Sequence, residues 1–223
     1  MKKTLLSWSS GKDSAWALHI LRQMPEYDIV GLFSTYNAKF KRVAMHSTRL
    51  ELVKLQAEHA GLPLELIPLP FPCTNEDYEE IMENFIAGIK KRGITHIAFG
   101  DIFLEDVRQY RIDKLASTDI TPIFPLWGIP TDELSRKMVS SGLRAQITCI
   151  DPKQISDEFA GQVYNLSFIE KLPMNIDPCG ENGEFHSFAF TGPMFKEPIP
   201  YEVGETVTRD GFTFTDIKLR VKE

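Results

Sequence analysis

Short apolar runs alternate with amphipathic segments along the chain through residue 149. The apolar runs at 4–8 and 28–35 predict strands, and apolar residues at helical spacing between them predict a helix that ends at Pro25. Further strands are predicted at 64–69, 94–99, 122–126 and 145–149, and further helices at 50–60, from Thr74 through Ile89, at 104–116 and at 132–141.

Two of the predicted helices begin at residues that can cap them. Thr48 and Glu51 have the spacing of a capping box, and Gly61 supplies a stop for that helix. Thr74 can cap the following helix, whose apolar residues over 78–89 form one stripe. We interpret this stripe as hydrophobic core and not as a cofactor site.

Repeated strand-then-helix units predict an α/β fold with a mainly parallel, doubly wound sheet, because parallel strands need crossover connections. Ligands bind such sheets beyond the carboxyl ends of the strands. The loops expected to carry function are therefore 9–14, the turn after Thr35, and 100–106.

The sequence changes in character toward its carboxyl-terminal part. Residues 1–142 are predicted to form the α/β core, and residues 143–223 a smaller region that is not independent, since no linker separates the two. After Pro173, Gly, Pro and aromatic residues become frequent, and Asp210-Gly211 predicts the turn of a terminal hairpin.

Composition narrows the class of protein. With 43% hydrophobic residues among 223, the chain can bury a substantial core. A net charge of −6 disfavours broad binding to a nucleic-acid backbone. Cys73, Cys149 and Cys179 form no paired motif, so neither a disulfide framework nor a zinc site is indicated, and a cytoplasmic location is expected. No apolar run is long enough for a membrane span.

The strongest chemical motif follows the first predicted strand and leads directly into a helix. It reads Ser9-Ser10-Gly11-Lys12-Asp13-Ser14. A small-residue turn at a helix N-terminus exposes backbone N–H groups that suit phosphate, and the hydroxyls and amine add donors. A Walker A motif would need glycine at Leu6 and Ser or Thr at Asp13, so that class is excluded. A serine-rich turn capped by Asp13 is the alternative interpretation.

This loop resembles the S-G-G-x-D-S signature of the PP-loop ATP pyrophosphatases, with Ser10 in place of the first glycine. Further segments resemble the diphthine–ammonia ligase-like branch of that family: 7–14, 100–102 with Arg108 and 111–113, 125–128 and 179–185. The resemblance implies a Rossmann-like fold of the adenine nucleotide α-hydrolase type, with ATP cleaved between its α and β phosphates. It also implies ATP-dependent amide formation. The chain departs from a Gly-Gly-Glu-Tyr-Glu-Thr-like run of the family at 182–187, which leaves the acceptor open.

Charged residues after the fourth predicted strand are candidates for the nucleotide site. Asp101 could join Asp13 in holding Mg²⁺, or could hold Lys12, and its alternative role is to cap a turn or helix. Arg108 and Arg111 lie on one helix face and could bind the triphosphate. Their alternative is pairing with neighbouring surface carboxylates.

A glycine-punctuated loop near the carboxyl end is the candidate substrate site. Its residues are Glu181, Asn182, Gly183, Glu184 and His186. We assign Glu184 and His186, together with Lys12 and Asp13, as candidate catalytic residues, and 181–184 as substrate-binding. A tight acidic hairpin loop is the alternative. Cys179 and His46 are expected to be structural.

The predicted reaction is the adenylylation of a carboxylate-bearing acceptor, a small molecule or modified side chain, by MgATP, followed by displacement of AMP by ammonia. In this hypothesis residues 1–142 bind ATP and residues 143–223 bind the acceptor. Ammonia is expected from solution or a separate partner, and the protein could be a homo-oligomer. Two alternatives remain open, a PP-loop enzyme that modifies RNA and a non-catalytic nucleotide sensor.

Overall fold

The computed structural model describes residues 1–220 and has ten strands and six α-helices over that range. In chain order the elements are β1 (Lys2–Ser7), α1 (Lys12–Leu21), β2 (Tyr27–Asn37), α2 (Leu50–Ala60), β3 (Leu64–Leu69), α3 (Asn75–Lys91), β4 (His96–Ala98), α4 (Glu105–Leu115), β5 (Thr121–Ile123), α5 (Thr131–Ser140), β6 (Arg144–Ile150), β7 (Val163–Tyr164), α6 (Leu166–Lys171), β8 (Phe185–Thr191), β9 (Tyr201–Arg209) and β10 (Phe212–Leu219).

The first sheet is parallel, in the order β3-β2-β1-β4-β5. Leu6 of the central strand pairs with Leu32 on one side and Ala98 on the other, and all three side chains are buried. The strand order reverses on either side of β1, which places a ligand crevice at its carboxyl end. The predicted α/β fold with a parallel sheet is confirmed.

The second sheet is antiparallel, in the order β7-β6-β10-β9, with β8 also paired to β6. The strand predicted at 145–149 is confirmed as β6, and every residue from Ala145 to Ile150 is buried because the strand is covered on both faces. One continuous hydrophobic cluster joins Leu6 and Trp16 of the first half to Ile147 and Phe185 of the second. The terminal hairpin is confirmed, since β9 and β10 pair around Asp210-Gly211.

One predicted cap is confirmed and the other is wrong. Thr74 and Asp77 form a reciprocal capping box at the start of α3. Helix α2 instead begins after Arg49 with no side-chain cap. The Thr48 hydroxyl accepts a hydrogen bond from Ser10 Oγ at 2.8 Å, so the contact with the turn after β1 replaces the predicted capping box.

Helix α3 buries Phe85, Ile86 and Ile89 against the first sheet, which confirms the stripe as core. Within residues 1–220, none of the helices combines the length and the hydropathy that a membrane span requires. The division at residue 142 and the oligomeric state stay predictions.

Candidate active site

A cavity of about 280 Å³ lies at the carboxyl ends of β1 and β4. The turn after β1, the turn after β4 and the turn that leads into β8 supply most of its wall, and His46 and Arg111 complete it. Consecutive segments of the first half therefore face a segment of the second half across one crevice, as expected for the edge of a parallel sheet.

The turn after β1, residues 9–14, has a backbone that explains its small residues. Ser10 has φ of 74°, a left-handed conformation that favours glycine, and its hydroxyl bond to Thr48 helps to hold it there. A Cβ at Gly11 would lie 2.5 Å from Cε1 of His46, and one at Gly100 would lie 3.1 Å from the backbone nitrogen of Ser14. Other groups therefore approach closely at both glycines, and a side chain there would have to displace His46 or the start of α1.

Gln56 fixes this loop from behind. Its side-chain amide donates to the carbonyls of Ser10 (3.0 Å) and Ala189 (2.7 Å), and its oxygen accepts from Trp8 Nε1 at 2.9 Å. Every polar atom of this buried side chain is satisfied, which makes the contact specific. Gln56 was not among the predicted site residues, although a polar glutamine next to the apolar stripe of α2 was a usable signal.

The N-terminus of α1 opens toward the cavity. Gly11 precedes helix α1 and has no side chain that could cap it. The N–H groups in the first turn of α1 therefore lack the capping side chain that most helices have. Ser9 and Ser14 approach each other at 3.1 Å between hydroxyls and line the cavity wall. The Lys12 backbone N–H donates to Ser187 Oγ at 3.3 Å. The positive end of the helix dipole thus faces the crevice.

Lys12 is almost completely buried and its ammonium contacts both halves of the protein. It donates to both carboxylate oxygens of Asp13, at 2.9 and 3.0 Å, and to the carbonyl of Cys179, and it lies over the rings of Tyr164 and Phe185. Burial lowers the pKa of Lys12, but the charge and hydrogen bonds of Asp13, together with the nearby Cys179 and Glu181, outweigh it, so the pKa lies above its usual value. Burial also raises the pKa of Asp13 against the opposing charge of Lys12.

Asp101 holds Arg111 and not Lys12. Its oxygens accept from Nε and Nη2 of Arg111 at 2.6 and 3.0 Å, and this guanidinium lies 4.3 Å from the ring centroid of Phe99. The suggestion that Asp101 holds the loop lysine is wrong, because Asp13 occupies that ammonium. A bidentate pair of this kind gives a fixed orientation to the guanidinium in the wall.

Arg108 lies apart from Arg111. Its guanidinium stacks at 4.6 Å over the ring of Trp127 and donates to Glu105 at 3.3 Å, outside the cavity lining. Of the two arginines predicted to share a ligand, the structure places only Arg111 in the cavity wall. Spacing on a helix face does not determine which of two neighbours reaches inward.

Glu181 lies in the cavity wall opposite the loop after β1. Its Oε1 accepts from the Ile102 N–H at 2.8 Å, and its own N–H donates to Asp177 at 2.8 Å. Burial, reinforced by the nearby charge of Asp13, raises the pKa of Glu181 to about 7. This carboxyl therefore changes its protonation state near neutral pH.

Glu184 occupies a different environment, buried beneath the loop and outside the cavity lining. Its Oε1 accepts from the Asp177 N–H at 3.0 Å and from the Asn182 side chain at 3.1 Å. Asn182 is exposed and Gly183 has φ of 84°, so these two residues form the tip of the turn. The predicted acceptor loop thus contributes Glu181 and His186 to the cavity, and Glu184 stabilises the loop from inside.

Two histidines lie side by side in the wall. The rings of His46 and His186 have centroids 5.0 Å apart, and His46 Nδ1 lies 2.7 Å from the carbonyl of Ser187. Burial lowers the pKa of His46 to about 4 and that of His186 to about 3. The sequence favoured a structural role for His46, whereas the structure places it in the cavity next to a predicted site residue.

The two residues predicted as magnesium ligands, Asp13 and Asp101, both lie in the cavity wall. Residues 1–220 contain no cluster of three or more His, Cys, Asp or Glu side chains that could hold a metal. Mg²⁺ commonly binds one or two carboxylates together with substrate phosphates, and here each of the two carboxylates is paired through both oxygens with a cation, Asp13 with Lys12 and Asp101 with Arg111.

The parallel sheet and the loop at its carboxyl edge define a PP-loop type of α/β protein. Residues 1–118 match the family model of the diphthamide synthase N-terminal domain, and residues 130–222 match that of the diphthamide synthase C-terminal domain. The chain belongs to the diphthamide synthase family, a family of ATP-dependent ligases.

Curated relatives carry one name, diphthine–ammonia ligase. The protein from Bos taurus is 25% identical over 240 residues, which cover 94% of this chain and 86% of the relative. That from Danio rerio is 26% identical over 75% of this chain and 71% of its own length. The match to the Homo sapiens protein, also 25% identical, covers 65% of this chain and 56% of the relative.

Proposed function

We propose that this protein is an ATP-dependent carbon–nitrogen ligase that joins ammonia to a carboxylate through an acyl-adenylate. The observation that carries the proposal is the shared cavity, in which the loop at 9–14 and the Asp101–Arg111 pair face Glu181. Family membership and the name shared by the relatives support the same class of reaction.

The loop after β1 receives the phosphates in this proposal. The first-turn N–H groups of α1 and the hydroxyls of Ser9 and Ser14 are donors in fixed positions. A carboxylate oxygen of the acceptor attacks the α-phosphorus, the bond between that phosphorus and the bridging oxygen breaks, and pyrophosphate leaves with the bonding electrons. Donors already in place stabilise the charge that develops on this leaving group.

Asp13 and Asp101 are the residues that would hold magnesium, which would there neutralise charge on the phosphates. Arg111 adds a fixed cation from the opposite side of the wall, because both oxygens of Asp101 and the ring of Phe99 hold its guanidinium. Lys12 keeps Asp13 in place from below the loop, since its ammonium is already committed to that carboxylate and to the Cys179 carbonyl.

Glu181 serves as the proton acceptor in the second step. The ammonia nitrogen attacks the acyl carbon, the bond from that carbon to the adenylate oxygen breaks, AMP leaves, and the surplus proton moves to the Glu181 carboxylate. A base with a pKa of about 7 suits this transfer near neutral pH. Glu184 is buried and its Oε1 is committed to loop contacts, so this proposal gives the role predicted for Glu184 to Glu181.

The acceptor is the least determined part of the proposal. The relatives are named for diphthine, which makes a diphthine-bearing substrate the first candidate. Position 186, where the family run departs in this chain, lies in the cavity wall as histidine. Because the departure from the family run includes a residue of the cavity wall, a different carboxylate is the second candidate.

Product analysis tests the reaction class. The protein is incubated with MgATP, ammonium chloride and a panel of carboxylates that includes a diphthine-bearing substrate, and nucleotide products are separated by chromatography. AMP with pyrophosphate, formed only when an acceptor is present, supports the ligase. ADP formation refutes it, and tight ATP binding without turnover across the panel favours a nucleotide sensor.

A further inference from the structure

The proposed mechanism leaves His46 and His186 without a role, although both line the cavity. His46 comes from the segment between β2 and α2, and its ring packs directly against Gly11 of the loop after β1. His186 is the second residue of β8, and its ring lies beside that of His46. The pair therefore stands at the place where the loop would hold phosphates.

The hydrogen bond of His46 fixes its tautomer. The Ser187 carbonyl can only accept, so the Nδ1 atom 2.7 Å away carries the hydrogen and donates it. The remaining nitrogen, Nε2, is then free to gain a proton. Ser187 also accepts from the Lys12 N–H through its hydroxyl, which ties the histidine wall to the start of α1.

The charged groups around the histidine pair leave too little positive charge to balance an anionic ligand. The charged or titratable groups that face it are Lys12 and Asp13 from α1, Asp101 after β4, Arg111 from α4 and Glu181 before β8. Two cations thus face three carboxylates, and each cation is already paired with one of them. Burial lowers the pKa of both histidines, so the pair adds no charge of its own at neutral pH.

We propose that His46 and His186 form part of the polyphosphate site and take up a proton when ATP or pyrophosphate binds. This inference rests on the proposed nucleotide binding and adds a coupled proton to it. A phosphate beside the rings favours the imidazolium form, which offsets the surplus of carboxylates and donates a charge-assisted hydrogen bond to the phosphate oxygen. The same proton then stabilises pyrophosphate as it leaves.

Isothermal titration calorimetry tests the proton uptake directly. Inorganic pyrophosphate and α,β-methylene ATP, each with magnesium chloride, are titrated into the protein in buffers of different ionisation enthalpy between about pH 6 and about pH 8. The number of protons bound per ligand follows from the slope of heat against buffer enthalpy. His46→Asn keeps a donor near the Ser187 carbonyl, and His186→Asn and the double variant complete the series.

The wild type is expected to bind about one proton more per ligand than the double variant, with a correspondingly steeper rise in affinity toward low pH. Glu181→Gln is measured alongside, because the carboxyl of Glu181, with a pKa of about 7, can also take up a proton. This variant should keep the histidine-dependent difference. His96→Asn is the matched control and should behave as the wild type, because His96 lies at the amino end of β4 and outside the cavity lining.

Equal proton uptake by the wild type and the double variant, with binding retained, overturns this inference and leaves the ligase proposal intact. Failure of the wild type to bind either ligand removes the ligase proposal and this inference with it. Should the variants fail to fold, imidazole ¹⁵N shifts of the labelled wild type decide the question. Spectra that stay those of neutral rings on saturation with either ligand contradict the proposal, and imidazolium shifts support it.

Discussion

The two facing walls of the cavity are built in different ways. The wall at 9–14 uses consecutive residues of one strand-to-helix turn, and nearly every one of them serves the turn or the crevice. The wall at 179–187 points Glu181 and His186 inward and buries Glu184 behind them. Backbone geometry dictates the first wall, whereas the second depends on which side chains an irregular turn directs into the cavity.

Asp13→Asn is the change expected to have the largest effect, because it affects both walls at once. It removes a candidate magnesium ligand and leaves the buried Lys12 ammonium without its counter-charge. We expect acceptor-dependent AMP formation to fall by ~10³-fold and the free energy of unfolding to drop by about 3–5 kcal/mol. Chemical denaturation and product analysis measure the two effects separately.

Asp119→Asn is the matched control for this change, since Asp119 is an exposed partner of Lys90 far from the cavity. Its activity and stability should stay within ~0.5 kcal/mol of the wild type. If Asp13→Asn behaves like this control, the loop at 9–14 has no part in catalysis.

This contrast between the walls also explains what the sequence could and could not predict. The parallel sheet and the loop at 9–14 could be predicted because they follow from short-range patterns. These patterns are the spacing of apolar residues in the strands, a turn of small residues and the start of a helix. Contacts between segments that are distant in the sequence bring Gln56, His46 and Ser187 to the site. The spacing of residues within one segment cannot predict such contacts. Thr48 was misassigned for the same reason, because its partner Ser10 lies in another element.

Glu181→Gln should separate the two chemical steps. The amide cannot accept a proton, so ammonia-dependent product formation is expected to fall by ~10²-fold, whereas acceptor-dependent exchange of labelled pyrophosphate into ATP persists. In the wild type the rate should rise as the pH passes through about 7, because the carboxyl must be ionised to accept the proton. At a fixed concentration of unprotonated ammonia, the variant should lose this rise.

The pyrophosphate-exchange measurement decides whether Glu181 is correctly assigned as the proton acceptor of the second step. Loss of pyrophosphate exchange to the same extent as amide formation would mean that Glu181 acts in adenylylation or acceptor binding. A pH profile that is unchanged in the variant would show that another group accepts the proton.

Glu184→Ala should destabilise the wall at 179–187 without removing the side chains that face the cavity. The change deletes the acceptor for the Asp177 N–H and the Asn182 side chain, and we expect the free energy of unfolding to fall by about 1–3 kcal/mol. Asn182→Ala, at the exposed tip of the turn, should cost less than ~1 kcal/mol. A stable Glu184→Ala protein with activity as low as that of Glu181→Gln would reverse the roles assigned to these glutamates.

Asp216→Asn should have the smallest effect of these changes. It removes a charged partner of the segment that carries His46. Arg42 and Arg49, which flank the segment that carries His46, each donate to Asp216 at 2.8 Å. Burial alone raises the pKa of Asp216, but the hydrogen bonds and charges of the two arginines together outweigh it and lower the pKa to about 2. The pairing therefore contributes about 1–2 kcal/mol above the unfolded pKa, and this contribution is lost as the pH falls from about 4 to about 2. Denaturation curves of wild type and variant should differ at neutral pH and converge near pH ~2, and a constant difference across that range would contradict the assignment.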